Sequence, residues 1–278
     1  MFWRPTPYGL RASDQADPVP AAPRRDRKLA EAIRGDAIEV RYQPQIHPAT
    51  GVVTGVEALA RWSGCASADE LFERACSARL GERLSRAIQA KAIRAAAGWK
   101  GALAAMRLSI NVLPEDLERE TYDAWLLGQL AEAKLDPARL TIEIVESALV
   151  VDRPAVAVRL ERLRAAGVRI AVDDFGTGYA NLAYLTSLPL DALKIDRALV
   201  ADLVGGSRDR IVVKAMINLA RELDLAVVVE GVETAAQLAL LAAWGCDCYQ
   251  GFLGAGALDE AELARFVTAA NAATLAAA

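Results

Sequence analysis

The run Glu39-Val40-Arg41-Tyr42-Gln43-Pro44-Gln45-Ile46, the turn residues Pro48-Ala49-Thr50-Gly51 and the run Val52-Val53-Thr54-Gly55-Val56-Glu57-Ala58-Leu59 decide the architecture. Both runs are rich in β-branched and aromatic residues and read as strands. Only seven residues lie between Gln45 and Val53, whereas a parallel crossover needs a dozen or more. The two strands are therefore expected to be antiparallel neighbours joined by a hairpin.

Outward from this pair, further strand patterns follow at Arg107 to Val112, Leu140 to Val145, Val168 to Val172, Ala192 to Ile195, Ala226 to Val229 and Asp247 to Gln250. Amphipathic segments alternate with them: Glu70 to Ala97 with a break near Gly81, Tyr122 to Ala133, Arg153 to Ala166, Asp209 to Leu223 and Ala235 to Trp244. A short helix, Leu29 to Arg34, precedes the first strand. Alternating strands and helices are the pattern of βα units around a parallel sheet. Eight strands in the 250 residues after position 28 suit a (β/α)8 barrel. The expected fold is thus α/β, a TIM-like (β/α)8 barrel with an antiparallel first strand. Residues 1–28, with Pro5, Pro7, Pro18, Pro20, Pro23 and a basic cluster from Arg24 to Lys28, read as a flexible leader. Residues 29–267 are expected to form the barrel domain, and 268–278 an Ala-rich, fraying helical tail.

With 54% hydrophobic and 24% charged residues, the 278-residue chain can bury a large core. Thirty-two Lys and Arg against 36 Asp and Glu give a net charge of −4, which speaks against a surface built to coat nucleic-acid polymers or anionic membranes. No segment is apolar over the length of a bilayer span, and no secretory signal opens the chain, so a cytoplasmic protein is expected. Four cysteines without a Cys-x-x-Cys pair read as reduced, buried thiols rather than a disulfide framework. His47 is the single histidine. Metal or acid–base chemistry must therefore rest on carboxylates, amides and lysine.

In a parallel barrel the C-terminal strand ends face the open mouth. Here they carry Glu57, Asn111, Glu143 with Glu146, Asp173-Asp174, Lys194 with Asp196, Glu230 with Glu233, and Gln250. Asn111, Glu143 and Asp173 are spaced 32 and 30 residues apart, one βα unit each. Taken singly, each acid reads more simply as a helix cap or ion-pair partner. Together they form a ring whose mutual repulsion must be relieved by protonation, cations or metal. Oxygen ligands without His or Cys select Mg²⁺ or Mn²⁺ over zinc, and the paired aspartates suit two neighbouring ions.

The motifs Tyr42-Gln43-Pro44, Glu57-Ala58-Leu59-Ala60-Arg61-Trp62, Ser109-Ile110-Asn111, Glu143-Ile144-Val145-Glu146, Asp173-Asp174-Phe175-Gly176-Thr177-Gly178, Lys194-Ile195-Asp196, Glu230-Gly231-Val232-Glu233 and Gln250-Gly251 stand in this order. Together they resemble the EAL domains, bacterial phosphodiesterases of cyclic di-GMP, over residues 29 to 265. The resemblance implies hydrolysis of cyclic di-GMP to linear pGpG with two Mg²⁺ or Mn²⁺ ions. It implies that Glu57, Asn111, Glu143 and Asp173 hold one ion, and that Asp173, Asp174 and Glu230 complete the second. Lys194 would steady the metal-bound hydroxide, with Glu230 as general base or ligand of the water. Gln43, Leu59, Arg61 and Gln250 would contact substrate, while Glu146 and Glu233 would anchor the loop after Asp174. A homodimer is also implied. The leader offers a docking arm for a protein partner. This chain departs from the family in a short segment between Trp62 and Leu71, in Val145, and in Phe252 to Gly256. The alternative is a silent EAL-type receptor of the nucleotide or a protein-interaction domain. An enolase-like barrel fits less well, because of the antiparallel first pair and the doubled aspartate.

Overall fold

The computed structural model of the chain describes residues 26–145, 153–176, 183–206 and 208–277. Eight strands close into a barrel in sequence order: β1 (Glu39–Ile46), β2 (Val53–Arg61), β3 (Arg107–Val112), β4 (Leu140–Val145), β5 (Arg169–Phe175), β6 (Ala192–Ile195), β7 (Ala226–Val229) and β8 (Cys248–Tyr249). β1 runs antiparallel to β2, from Glu39 opposite Arg61 to Ile46 opposite Val53, and antiparallel to β8 through Ile46 and Tyr249. All other neighbours are parallel. The reversed first strand expected from the hairpin spacing is thus present. His47 serves that hairpin: its Nδ1 accepts from the backbone N–H groups of Ala49 and Thr50.

Period-two alternation divides each strand between two environments. In β3, Leu108, Ile110 and Val112 are buried against the outer helices, and Ser109 and Asn111 take the alternate positions. The helix Gly81–Gly98 meets that layer with Ala92, Ile93 and Ala96, while Leu84 and Ile88 of the same apolar stripe join a smaller cluster with Leu29, Ile38 and Leu71. The principal core is this shell between barrel and helices, from Ile110 and Ile142 out to Leu126 and Leu160.

The structure moves several expected boundaries. β2 ends at Arg61 rather than Leu59, because its pairing with the reversed β1 continues to Glu39. Glu57 therefore sits inside a strand rather than at its end. β5 extends to Phe175 through a bulge: Val172 pairs with Leu193 and Phe175 with Ile195, so two aspartates on β5 oppose Lys194 alone. Asp174 takes the left-handed conformation there, φ 56°, which Asp tolerates better than most residues. The segment expected as one broken helix forms Ala68–Ser77 and Gly81–Gly98, interrupted where Arg79 turns left-handed at φ 57°. The first helix is Arg27–Arg34, beginning two residues early because Asp26 Oδ1 accepts the N–H of Leu29. The Ala-rich end, expected to be a helical tail, continues one helix, Glu260–Ala277, which Asp259 and Glu262 start with reciprocal side-chain-to-backbone bonds. All four cysteines are free, but Cys76 is exposed, unlike the buried pair Cys246 and Cys248. Among the described residues no helix is long and apolar enough to cross a membrane.

Candidate active site

Inward positions of successive strands converge below the mouth of the barrel. Lys194, from β6, is 1% exposed and stands at the centre. Its Nζ lies 2.8 Å from Glu143 Oε2, 3.1 Å from Asp173 Oδ2, 2.7 Å from Glu230 Oε1 and 3.5 Å from Glu57 Oε2. These four carboxylates come from β4, β5, the residue after β7, and β2. Asn111 donates its amide N–H to Glu57 Oε1 at 2.8 Å, and Gln250 donates to Glu57 Oε2 at 2.5 Å. With its N–H₂ group on Glu57, Asn111 has Oδ1 as the amide atom that could hold a cation.

One ammonium cannot neutralise four acids, three of them buried, and the protonation equilibria divide accordingly. Burial pushes Glu143 well above the usual carboxylate range, with the charges of Glu57 and Asp173 adding to it against the pull of Lys194. Burial likewise raises Glu230 to about 7. Glu57 is also opposed by burial, but Lys194 and the donors Gln250 and Asn111 outweigh it and hold its carboxyl low. Burial and the adjacent Asp173 raise Asp174. Burial alone would discharge Lys194; the surrounding acids reverse this and raise its pKa well above the ordinary value.

This arrangement suits a hard divalent cation. Ligand oxygens of Glu57, Glu143 and Asp173 lie within 4.8 Å of one another, all on buried residues. The donor set is oxygen only, the excess charge is negative, and Gln250 Oε1 is buried without a partner beside it.

Above the acids opens a cavity of about 820 Å³ whose walls include Gln43, Leu59, Arg61, Asp174, Glu230 and Glu233. Each residue expected at the substrate reaches it, Gln250 included. Gln43 is partly engaged by Ala255 O at 3.2 Å, and Arg61 folds back on Ala60 O at 2.8 Å. A second chamber of about 320 Å³ shares Glu57, Asn111, Asp173 and Asp174 with the site. Glu146 and the loop from Thr177 to Tyr179, expected to couple to it, lie outside the described residues. Asp196, on the cavity wall, also caps a short helix, with its Oδ1 accepting from Ala198 N–H. Glu233 is not a cap; Thr234 and Gln237 form that capping box.

Sequence reading missed Gln45 and Ser109. Gln45, 8% exposed, donates to Ser109 Oγ at 3.4 Å and Glu143 Oε1 at 3.5 Å. The signal was there: each stands two residues from a site residue, Gln45 after Gln43 and Ser109 before Asn111, hence on the same face of its strand.

The family model for the EAL domain matches residues 26–257. Among curated proteins, a cyclic di-GMP phosphodiesterase of Pseudomonas aeruginosa is 40% identical over 230 residues, 81% of this chain and 39% of the relative. A second from that organism, the cyclic di-GMP phosphodiesterase NbdA, is 36% identical over 253 residues, 88% of this chain and 32% of the relative. The chain spans about a third of the length of the curated relatives it matches. Among solved structures, the PaMucR phosphodiesterase in complex with c-di-GMP superposes with TM-score 0.80 and 33% identity, covering 85% of this chain and 98% of that one. The EAL domain of Mycobacterium smegmatis DcpA gives TM-score 0.73 and 33% identity, again covering 85% and 98%.

Proposed function

The chain belongs to the EAL domain family, and from that premise we propose that it is a cytoplasmic phosphodiesterase hydrolysing cyclic di-GMP to linear pGpG with two Mg²⁺ or Mn²⁺ ions. The observation that carries this reading is the ring of buried Glu57, Glu143 and Asp173 with half-buried Glu230 around Lys194, opening into a cavity that Arg61 lines. Glu57, Asn111, Glu143 and Asp173 would hold one ion, and Asp173, Asp174 and Glu230 the other. Bound there, such ions lower the pKa of water toward neutrality and offset charge on the phosphoryl oxygens.

The chain's own groups do the rest. Glu230, 2.7 Å from Lys194 Nζ and on the cavity wall, would take the proton of the attacking water or hold that water in place. Lys194 donates at the centre of the acids, holds their oxygens in place and faces the charge that builds during attack. Asn111 and Gln250 keep Glu57 ionised and fixed in orientation. Arg61, released from Ala60 O, offers a guanidinium to a phosphate. Gln43, Leu59 and Gln250 line the remaining substrate wall, and Glu146 and Glu233 would be the residues that anchor the loop after Asp174. One P–O bond to water forms as one ring P–O ester bond breaks, so a single turnover yields the linear dinucleotide. The same reading includes a homodimer and a docking role for residues 1–28.

Incubation with cyclic di-GMP and Mg²⁺ or Mn²⁺, followed by chromatography, tests the proposal. The expected product is pGpG. Nucleotide that binds and is recovered intact would replace the enzyme with a silent receptor.

A further inference from the structure

We propose that Gln89 is a positioning residue for the carboxylate centre, clamping the end of β3 so that the Asn111 amide stays on Glu57. The inference rests on the metal-dependent reading above. Gln89 projects from the helix Gly81–Gly98 and is 1% exposed. Its Nε2 donates to the backbone carbonyl of Asn111 at 3.0 Å and to Ser85 Oγ at 2.9 Å, and its Oε1 accepts from Tyr122 O–H at 3.1 Å. Ser85 passes its own proton to Asp116 Oδ2 at 2.5 Å. Asp116 also accepts the backbone N–H of Leu113 at 3.3 Å and an Arg119 donor at 2.7 Å.

Donor logic fixes the amide orientation. The Asn111 carbonyl can only accept, and the Ser85 hydroxyl has spent its proton on a carboxylate, so both face the N–H₂ group of Gln89. Two main-chain groups flanking Val112, the carbonyl of Asn111 and the N–H of Leu113, are thereby held from the helix layer. Both peptide planes are set, and with them the direction in which Asn111 reaches Glu57. Burying Ser85, Gln89, Asp116 and Tyr122 between helix and barrel is costly unless every group is satisfied, so apolar residues would serve packing alone better. Ser85 and Gln89 border the chamber that Glu57 and Asp173 also line, and the hydrogen bond that links this group toward the cluster is the one from Gln89 to the Asn111 carbonyl.

The test is the Mn²⁺ affinity of Gln89→Leu by calorimetry, beside its thermal unfolding without metal. Loss of a group that orients a metal ligand is expected to weaken Mn²⁺ binding about 10- to 100-fold, with activity recovering as Mn²⁺ is raised and KM for cyclic di-GMP within twofold of wild type at saturating metal. Leu130→Ala, in the core beneath the neighbouring helix, lowers stability without touching Asn111 and is expected to keep wild-type Mn²⁺ affinity. If Gln89→Leu and Leu130→Ala bind Mn²⁺ alike, Gln89 is a packing residue and the inference falls. Should Gln89→Leu not fold, Tyr122→Phe removes only the bond to Gln89 Oε1; a several-fold weaker Mn²⁺ affinity supports the clamp, and an unchanged one overturns it. Wild type that binds Mn²⁺ without hydrolysing cyclic di-GMP would defeat the enzymatic reading and leave this one standing. Wild type that binds no Mn²⁺ would defeat both.

Discussion

Replacing Lys194 with Met asks what one buried ammonium is worth. Its Nζ stands within 3.5 Å of four carboxylates, and the side chain is 1% exposed. Removing one partner of a buried ion pair costs about 3–5 kcal/mol. At roughly 2–4 °C per kcal/mol for a domain near this size, the metal-free variant should melt about 6–20 °C below wild type. The acids can escape part of this by taking up protons, which gives the effect a pH dependence. Glu230, raised to about 7 from an ordinary 4.5, and Glu143, raised well above its usual range, favour the folded state when protonated. That contribution is complete below the ordinary value and lost as pH rises toward the folded one. The gap between variant and wild type should accordingly be wider at pH 8 than at pH 6. Added Mn²⁺ supplies the missing positive charge and should raise the variant's Tm more than that of wild type, while hydrolysis stays lost. Differential scanning fluorimetry at the two pH values, with and without Mn²⁺, measures all of this. A metal-free variant melting within 2 °C of wild type at pH 8, or gaining no more from metal, would refute the charge argument.

Glu57→Ala should abolish turnover by removing a ligand oxygen held by Asn111 and Gln250; measurable pGpG formation at saturating Mg²⁺ would remove Glu57 from the centre. Gly251→Ala would place a Cβ 2.2 Å from the backbone oxygen of Val232, at φ +156°, so neither backbone can yield. We expect about 1–3 kcal/mol of destabilisation and a raised KM as the adjacent Gln250 shifts, and wild-type unfolding and KM would contradict the steric argument. Asp26→Ala removes the cap of the first helix and the ion pair with Arg74, for a loss of about 1 kcal/mol at pH 7. Hydrogen bonds from Arg74 and from the Leu29 backbone hold the Asp26 carboxyl below 3.8, so its contribution is present above that value and fades as pH falls through the lower folded one. Urea unfolding of wild type and variant should converge in strong acid, and a gap that persists there counts against the assignment.

The barrel was legible because its evidence is local. Seven residues between Gln45 and Val53 exclude a crossover, and the strands Arg107–Val112, Leu140–Val145, Ala192–Ile195 and Ala226–Val229 coincide with their β-branched runs. The errors fall where tertiary pairing overrides local pattern. β2 outlasts its apolar run because β1 keeps pairing with it, and β5 continues through two aspartates because a bulge accommodates them. The acids of the site were legible one by one, at βα intervals. Their common contact, Lys194 at the focus, depends on barrel closure and has no trace in spacing. Gln45 and Ser109 did carry a local signal, standing two residues from Gln43 and Asn111 on the same strand faces, whereas nothing in the sequence around Gln89 marks a helix residue as the support of a strand's backbone.

The reversed β1 has a consequence for how the chain is plumbed. In an all-parallel barrel the polypeptide enters the first strand at the floor, far from the chemistry. Here Glu39 pairs with Arg61, so the chain comes into the barrel at the rim of the cavity that Arg61 lines. Arg74 fastens that entry, gripping Asp26 with one edge of its guanidinium and the carbonyl of Gly64 with another, and Ala66 to Asp69 just beyond form part of the cavity wall. The point where the chain enters the barrel and the lip of that cavity are thereby tied together through a single arginine side chain.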